Sequence, residues 1–361
     1  MQRPSSVSNE LVLPSTATLD RGRASLISSL PHHGLGLAVA KAHLSDDIAP
    51  ALSQASQSSR YYGFVTGGAT PAASFADNLV TKADQNVGIH LPAESISTNV
   101  EDCALRMICE LLRLEPDDWR HRIFTTGATA SNVVGLACGR QSVVEAAAVA
   151  SGAHVSVSED GIFEAMRAAG LSRIQILSTV PHSSLRKAAS IIGLGRASVE
   201  DVGREDAPHA FDLAKLEIAL KRPGTASIVA VSCGEINTGF FATDFEDMKA
   251  LRKLCDFHGA WLHVDAAFGL LARALPETPE YETILAGVAG LELADSIAGD
   301  AHKLLNVVRD IFPLLHSGDT MLTRPAIRLR HLALSPSQPW SRRIRKPQRS
   351  ISQACSFDRV L

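Results

Sequence analysis

The sequence contains no apolar run that approaches the ~20 residues needed to span a membrane. Its first 16 residues are mostly polar and lack the apolar core of a secretory signal. The six cysteines show no CxxC spacing and are too few for a disulfide framework, which is typical of small core residues in a reducing compartment. These absences predict a cytoplasmic protein without membrane association.

The composition that remains is that of an ordinary globular protein, and 361 residues permit either two domains or one large α/β domain. Charge is unevenly distributed. Residues 307–361 carry a net charge of +7, whereas residues 1–306 carry a net charge of −10. A basic tail of this kind can bind nucleic acid. An altered C-terminal segment is a second interpretation of this charge asymmetry.

The pattern of apolar residues divides the sequence into a helical N-terminal segment (1–60) and an alternation of short strands and helices from residue 61 onward. A capping box formed by Thr98 and Glu101 predicts the start of one helix. Further helices are predicted at 130–150 and 245–257, and strands at 122–126, 174–177, 227–232, 261–265 and 296–298. Strands separated by helices predict a mainly parallel α/β sheet.

Residues 125–132 (TTGATASN) run from a predicted strand through small residues into a predicted helix. Free backbone N–H groups and the helix dipole at such a point favour a phosphate, and the Ser131 hydroxyl adds a donor. A tight turn with an ordinary helix cap is the alternative, and it is the more common use of such a segment.

A second segment, WLHVDAA (261–267), is a predicted strand that ends in an acid. The Asp265 carboxylate could pair with a protonated ring nitrogen, while Ala267 leaves room for a flat ring. Asp265 could instead cap a following helix. A third segment, GDAHK (299–303), places Lys303 just after a short apolar strand. Burial there would lower the pKa of the amine and make it a nucleophile, although most lysines are solvated.

A phosphate cradle, an acid for a pyridinium and a lysine 38 residues later are the parts that pyridoxal phosphate (PLP) requires. His182, between the cradle and the acid, could stack on the exposed face of the ring and touch the substrate carboxylate. Considered alone, it would be an ordinary surface or core histidine. The combination therefore predicts PLP as the cofactor.

Five segments resemble the group II PLP-dependent amino-acid decarboxylases, which have the aspartate-aminotransferase fold (PLP fold type I). They are YGFVTGGATP (62–71), TGATASN (126–132), GEINTG (234–239), HVDAAFG (263–269) and GDAHK (299–303). The resemblance implies a PLP-binding large domain at 61–306, built on a mainly parallel sheet of about seven strands with helices on both faces, and no metal site. It also implies decarboxylation of an L-amino acid to the amine and CO2, and a homodimer if the C-terminal region is intact.

The resemblance also assigns roles to residues. It implies that Lys303 forms a Schiff base with the cofactor, that Asp265 pairs with the pyridine nitrogen and that His182 stacks on the ring, so these three are the predicted catalytic residues. Other positions are implied to be near the cofactor or substrate: Ala130, Ser131, Asp300 and His302 around the phosphate, Ala267 against the ring, Thr66 near the substrate carboxylate, and Asn237 with Thr238 in a nearby loop.

The resemblance ends at Asn306. Residues 323–349 contain four prolines, eight basic residues and no acid, which is typical of a disordered or altered segment, and a nucleic-acid-binding tail is the competing interpretation. We therefore predict a disordered basic tail at 307–361 that binds no nucleic acid and leaves this chain little decarboxylase activity. A non-catalytic relative, or another fold-type-I lyase, remains the alternative.

Overall fold

A computed structural model describes residues 13–58, 61, 63, 67–84, 90–307 and 312–316, the last of these as backbone alone. The described chain divides into two compact units. One contains the residues up to 61, and the other contains all of the later described residues. The predicted boundaries at 60 and 306 stay predictions.

The first unit is helical, as the sequence predicts. Helices α1 (Thr16–Ser25) and α2 (Gly36–His43) are followed by a π-helical turn (Leu44–Ile48) and by 3-10 turns at Ala49–Ala51 and Ala55–Gln57. The Ser15 hydroxyl caps α1 by accepting a hydrogen bond from the Thr18 N–H. A Cβ added at Gly22 would lie only 2.6 Å from the Ala51 Cβ, so the absence of a side chain lets α1 pack closely on the turn.

The second unit is built on a seven-stranded sheet. Its strands are β1 (His121–Thr125), β2 (Arg173–Ser178), β3 (Val199–Asp201), β4 (Thr225–Ser232), β5 (Trp261–Asp265), β6 (Ser296–Ala298) and β7 (Phe312–His316). They lie in the order β1-β7-β6-β5-β4-β2-β3. All neighbouring pairs are parallel except those of β7, which runs antiparallel to both β1 and β6. The predicted α/β fold class is confirmed.

Helices precede the first strand and connect the later ones. They are α3 (Pro71–Ala83), α4 (Ser97–Leu111), α5 (Ala128–Ala150), α6 (Val157–Ala168), α7 (Ser183–Ile191), α8 (Leu213–Leu220), α9 (Phe245–His258), α10 (Glu282–Gly287) and α11 (Ala301–Leu304). Short 3-10 helices span Arg196–Ser198, Leu270–Ala274, Pro279–Tyr281 and Leu291–Leu293. Gly161, at φ 77°, interrupts α6.

Successive side chains of a strand point to opposite sides of the sheet. Consecutive residues of the central strands are buried, so both faces of these strands are buried. On β4, Ile228 packs with α5, α6 and α7, whereas Val229 packs with α8 and α9. The same alternation on β5 places Trp261 on the α5 face and Leu262 on the other face. Helices cover both faces of the sheet because its central strands bury side chains on both sides.

Helix α5 is, by length and composition alone, long and apolar enough to cross a membrane, and no other described helix is. In the structure it packs against the sheet, with residues such as Leu136 and Val144 fully buried. Core helices pass the same test, so the feature is weak evidence for a membrane span.

Two local predictions are wrong. The helix predicted to be capped by Thr98 begins at Ser97, and its N-cap residue Ile96 makes no side-chain hydrogen bond. The Glu101 carboxylate instead accepts from the Phe124 N–H of β1. Residues 312–316, assigned to the disordered tail, form β7. This strand lies between β1 and β6, and its backbone pairs with both. The remainder of the predicted tail, at 308–311 and 317–361, lies outside the described residues.

Candidate active site

A cavity of about 730 Å³ opens at the carboxyl ends of the parallel strands, where ligands of such sheets bind. Segments that follow five strands (β1, β2, β4, β5 and β6) contribute to its wall. Its lining includes most of the predicted site residues, namely Ala130, His182, Asp265, Ala267, Asp300, His302 and Lys303. The fold thus brings together residues that are spread over more than 170 positions of the sequence.

The first turn of α5 forms one wall of the cavity. Its N-cap residue, Gly127, has φ 147° and has no side chain that could accept a capping hydrogen bond. The first N–H groups of a helix have no acceptor within the helix, so those of α5 are left available for a ligand. Ala128, Thr129 and Ala130 line the cavity at this point. A 23-residue helix with an uncapped N-terminus can bind an anion, and this favours the phosphate prediction over an ordinary cap.

Lys303 lies in α11 with its side chain only 13% exposed. Its Nζ is 3.2 Å from Asp300 Oδ2 and 3.3 Å from the centroid of the Phe268 ring. Burial lowers the pKa of Lys303, and the neighbouring Asp300 carboxylate opposes that effect. Burial likewise raises the pKa of Asp300 to about 6, although Lys303 works in the other direction. A buried amine with a lowered pKa is the nucleophile that the sequence predicts.

Asp265 ends β5 and does not cap a helix, because the next element is a 3-10 helix whose N-cap is Gly269. Its Oδ2 accepts a 2.8 Å hydrogen bond from Asn132 Nδ2, and its Oδ1 accepts from the Ala267 N–H at 3.3 Å. Both contacts hold the carboxylate at the edge of the cavity. Ala267 has no side-chain atom beyond Cβ, which leaves space beside the carboxylate for a flat ring.

His182 is the N-cap residue of α7 and lines the cavity. Its Nδ1 lies 2.8 Å from Ser184 Oγ and accepts from the Ser184 N–H at 3.3 Å. The loop that delivers it contains Val180 at φ 38°, a conformation that is costly for a β-branched residue. Such strain is found where the surrounding structure fixes a functional side chain, here the imidazole two residues further on.

The loop after β4 is organised by one buried carboxylate. Glu235 is 4% exposed, and its oxygens accept from the N–H groups of Asn237 and Thr238. A further hydrogen bond joins the Asn237 side-chain amide to Glu235 Oε1. Glu235 and Ile236 line the cavity, whereas Asn237 and Thr238 do not. The two residues that the sequence placed near the cofactor therefore shape the loop from outside the cavity wall.

Ser131 and Thr66 were also predicted to contact the cofactor or the substrate. Ser131 is fully buried and its hydroxyl lies 2.8 Å from Thr125 Oγ1, so the structure does not place it in the cavity wall as an added phosphate donor. Thr66, predicted near the substrate carboxylate, lies outside the described residues. The sequence prediction missed the role of four residues. Ser184 lines the cavity, and Asn132, His263 and Ser296 lie directly behind its wall. The alternation of β5 does place His263 on the same face as Asp265, and that was the available signal.

PLP fits this set of residues. The uncapped turn of α5 suits a phosphate dianion, the Asp265 carboxylate suits a ring N–H, and the Lys303 amine suits an aldehyde carbon. The cavity volume lies within the range typical of cofactor and ligand sites, roughly 300–1,000 Å³. Among the described residues, no group of His, Cys, Asp and Glu side chains is arranged to hold a metal ion.

Comparison with known proteins agrees with this chemistry. Residues 42–334 match the model of the pyridoxal-dependent decarboxylase conserved domain. L-2,4-diaminobutyrate decarboxylase of Acinetobacter baumannii is 32% identical over 186 residues, which is 50% of this chain and 34% of that protein. Tryptophan decarboxylase 1 of Oryza sativa subsp. japonica is 25% identical over 242 residues, 66% of this chain and 44% of that protein. The chain therefore spans less than half the length of these curated relatives.

Solved structures show the same fold. Oryza sativa TDC with PLP and tryptamine superposes with a TM-score of 0.62 at 22% identity, covering 85% of this chain and 61% of that one. Mouse CSAD superposes with a TM-score of 0.65 at 21% identity, covering 86% of this chain and 60% of that one. At this level of identity, the likeness concerns the fold alone.

Proposed function

The chain belongs to the pyridoxal-dependent decarboxylase family, and on that premise we propose that its cavity binds PLP and supports decarboxylation of an L-amino acid to the amine and CO2. The observation that carries the proposal is the arrangement of Lys303, Asp265 and the uncapped turn of α5 around one cavity. PLP, when bound, supplies an electron sink for the pair of electrons left at the α-carbon by departing CO2.

The protein's own contribution begins with binding. The first-turn N–H groups of α5 would hold the phosphate, with His302 lining the same cavity. Lys303 would attach the cofactor covalently, because its lowered pKa leaves more of the amine unprotonated at neutral pH. Asp265 would keep a proton on the ring nitrogen, and a positively charged ring accepts electrons more readily than a neutral one.

Orientation comes next. His182, which lines the same cavity, would stack on the ring and contact the substrate carboxylate. Its Nδ1 accepts from the Ser184 N–H, so in the neutral ring the proton is on Nε2, which can donate a hydrogen bond to a carboxylate. Glu235 and Ile236 line another side of the cavity, in a loop that the Glu235 carboxylate holds together.

Purified chain should be incubated with PLP and a panel of L-amino acids, and both CO2 and the amine measured. Lys303→Ala should abolish release, whereas Lys249→Ala, an exposed lysine paired with Glu246, should not change it. CO2 release that persists in Lys303→Ala would contradict the proposal.

A second candidate is a relative that binds PLP but turns over slowly or not at all. The same experiment separates the two candidates, since a non-catalytic relative would bind PLP at Lys303 and release no CO2.

We also propose that the chain acts in the cytoplasm and forms homodimers. Supporting the second point, α4 exposes apolar side chains at Val100, Met107 and Leu111, and contiguous apolar surface of this kind is typical of interfaces. Sedimentation of the purified chain tests the dimer, and a purely monomeric species at micromolar concentration would contradict it. For the cytoplasmic assignment, the five described cysteines are all free, and fractionation of cells that express the chain tests it.

A further inference from the structure

A continuous line of buried polar side chains lies behind the cavity, between α5 and the strands β5 and β6. Trp261 Nε1 is 3.0 Å from Ser296 Oγ, which is 2.8 Å from His263 Nδ1. His263 Nε2 is 2.9 Å from Asn132 Oδ1, and Asn132 Nδ2 is 2.8 Å from Asp265 Oδ2. We refer to these five residues as the relay.

The two ends of the relay, together with a neutral His263, fix the direction of every hydrogen bond in it. An indole N–H can only donate, so Ser296 Oγ accepts from Trp261. When the single proton of His263 is on Nε2, Nδ1 is a bare acceptor and the Ser296 proton goes to it. At the other end, a carboxylate oxygen accepts from the Asn132 amide. The Asn132 carbonyl oxygen must then accept from the Nε2–H of His263. All four hydrogen bonds therefore point toward Asp265.

The direction requires a neutral His263 with its single proton on Nε2. Burial lowers the pKa of His263 to about 4, which agrees with a neutral ring. His263 lies opposite Ser296 in the parallel register of β5 and β6, and both are fully buried. Trp261, His263 and Asp265 occupy alternate positions of β5 and so share the α5 face, where Asn132 lies one turn into the helix.

A branch of the relay reaches the other predicted catalytic side chain. Asn132 Nδ2 is also 3.4 Å from Ser184 Oγ, and that hydroxyl is 2.8 Å from His182 Nδ1. Since His182 Nδ1 already accepts from the Ser184 N–H, the hydroxyl proton of Ser184 points to the same nitrogen. One side-chain amide thus contacts Asp265 directly and His182 through a single hydroxyl.

We propose that Asn132 is a positioning residue for both Asp265 and His182, and that the relay from Trp261 through Ser296 and His263 orients its amide for this purpose. Asn132 stabilises negative charge on Asp265 Oδ2 by a charge-assisted hydrogen bond, and the carboxylate is thereby held in place for a ring N–H. The inference rests on the proposed function, because the partner of Asp265 is the ring nitrogen of PLP.

The test compares two ligands. Equilibrium binding of PLP to the full chain is measured by fluorescence, and so is binding of an analogue in which a carbon replaces the ring nitrogen. Asn132→Leu should weaken PLP binding about tenfold, as expected for loss of a hydrogen bond to a charged group. Analogue binding should be almost unchanged, because the analogue gives Asp265 no N–H to hold. Ser296→Ala should show the same selectivity with a smaller loss.

The opposite face of the sheet offers matched controls. Gln175 is a fully buried amide whose Nε2 donates to Ser227 Oγ, and neither residue lines the cavity. Gln175→Leu and Ser227→Ala therefore repeat the two chemical changes away from the relay, and they should not separate PLP from the analogue. If Asn132→Leu does not fold, Ser296→Ala retains the test.

Equal loss of both ligands would mean a structural role only and would overturn the inference, as would no loss of either. Failure of the wild-type chain to bind PLP would instead overturn the proposed function. The order of the hydrogen bonds can be tested without cofactor, since nitrogen NMR of histidine-labelled protein distinguishes protonated from bare ring nitrogens. A proton on His263 Nδ1 would overturn the inference even if PLP binds.

Discussion

Lys303 and Asp300 form a buried ion pair, with Nζ 3.2 Å from Oδ2, on the wall of the cavity. The two residues are one turn apart, at the N-cap and the third position of α11, so the short helix itself sets their separation. Burial disfavours the charged form of both side chains. Charged Asp300 and Lys303 therefore lower the free energy of unfolding of the protein without cofactor, by an amount that depends on pH.

Asp300→Asn should stabilise the cofactor-free protein at neutral pH. The pKa of Asp300 is raised from an ordinary 3.8 to about 6, so between these values the folded state binds more protons than the unfolded state. Stability contributed by the protonated carboxyl is present below pH 4 and is lost as the pH rises through 6. The amide of the variant does not titrate, so the variant does not lose this stability as the pH rises. We expect it to unfold with wild-type free energy near pH 4 and to gain on the order of 2 kcal/mol above pH 6, measured by urea denaturation.

His263 acts in the opposite direction over a similar range, since its lowered pKa makes stability rise between about pH 4 and 6.5. It is present in both proteins, so the difference between them isolates Asp300. Asp206→Asn is the control. The pKa of Asp206 is lowered by its hydrogen bond to Arg204, so its removal should give no gain as the pH rises. An Asp300→Asn curve parallel to wild type would contradict the assigned pKa.

Lys303 should be the residue that PLP modifies. Borohydride reduction of the chain incubated with PLP should add the cofactor to the tryptic peptide that contains Lys303, identified by mass spectrometry. The reason is burial, which lowers the pKa of Lys303, whose side chain is 13% exposed, whereas that of Lys249 is 52% exposed. Specific labelling at another lysine with Lys303 unmodified would refute the assignment.

Asp265→Asn should lower the rate of CO2 release far more than it lowers the affinity for PLP. The carboxylate faces charge that changes during the reaction, and removal of such a group costs several kcal/mol, on the order of 100-fold in rate. Asp118→Asn, at an exposed position before β1, is the matched control and should leave the rate unchanged. Near-normal turnover by Asp265→Asn would show that this carboxylate does not act on the ring.

Some of the fold could be predicted residue by residue. Strands β5 and β6 begin and end where the sequence indicates, because each is a short apolar run between a helix and a turn. Strand β7 could not be predicted. It contains Pro313, which disfavours a strand, and its pairing with β1 joins residues that are about 190 positions apart. The three-residue strand β3 is too short to produce a pattern.

The site residues likewise divide into those that the local sequence indicates and those that depend on contacts between distant segments. Lys303, Asp265 and His182 carry distinctive chemistry at strand ends, and the sequence indicated all three. Asn132 was within a quoted motif, but nothing local shows that its amide meets Asp265, because that contact spans 133 positions and depends on how α5 packs on β5. Side chains that act through others thus depend on tertiary geometry.

That packing makes a testable prediction at Gly139, where α5 crosses β5. A Cβ added there would lie 2.8 Å from Trp261 Cδ1, a distance that real Cβ atoms essentially never show, and 3.2 Å from Ile228 Cδ1, which is tighter than most real contacts. Alanine usually stabilises a helix by up to about 1 kcal/mol relative to glycine. Overpacking costs about 1–3 kcal/mol. We expect the second effect to exceed the first, so Gly139→Ala should lower the free energy of unfolding.

A double-mutant cycle with Trp261→Phe separates the two contributions, because the smaller ring gives the new methyl group room. In that background, Gly139→Ala should cost less than in the wild type, or should even stabilise the protein through its helix propensity. Equal costs in the two backgrounds would mean that α5 does not approach β5 at this point. The position of Asn132 beside Asp265 depends on the same approach, so the stability cycle also checks the geometry behind the relay.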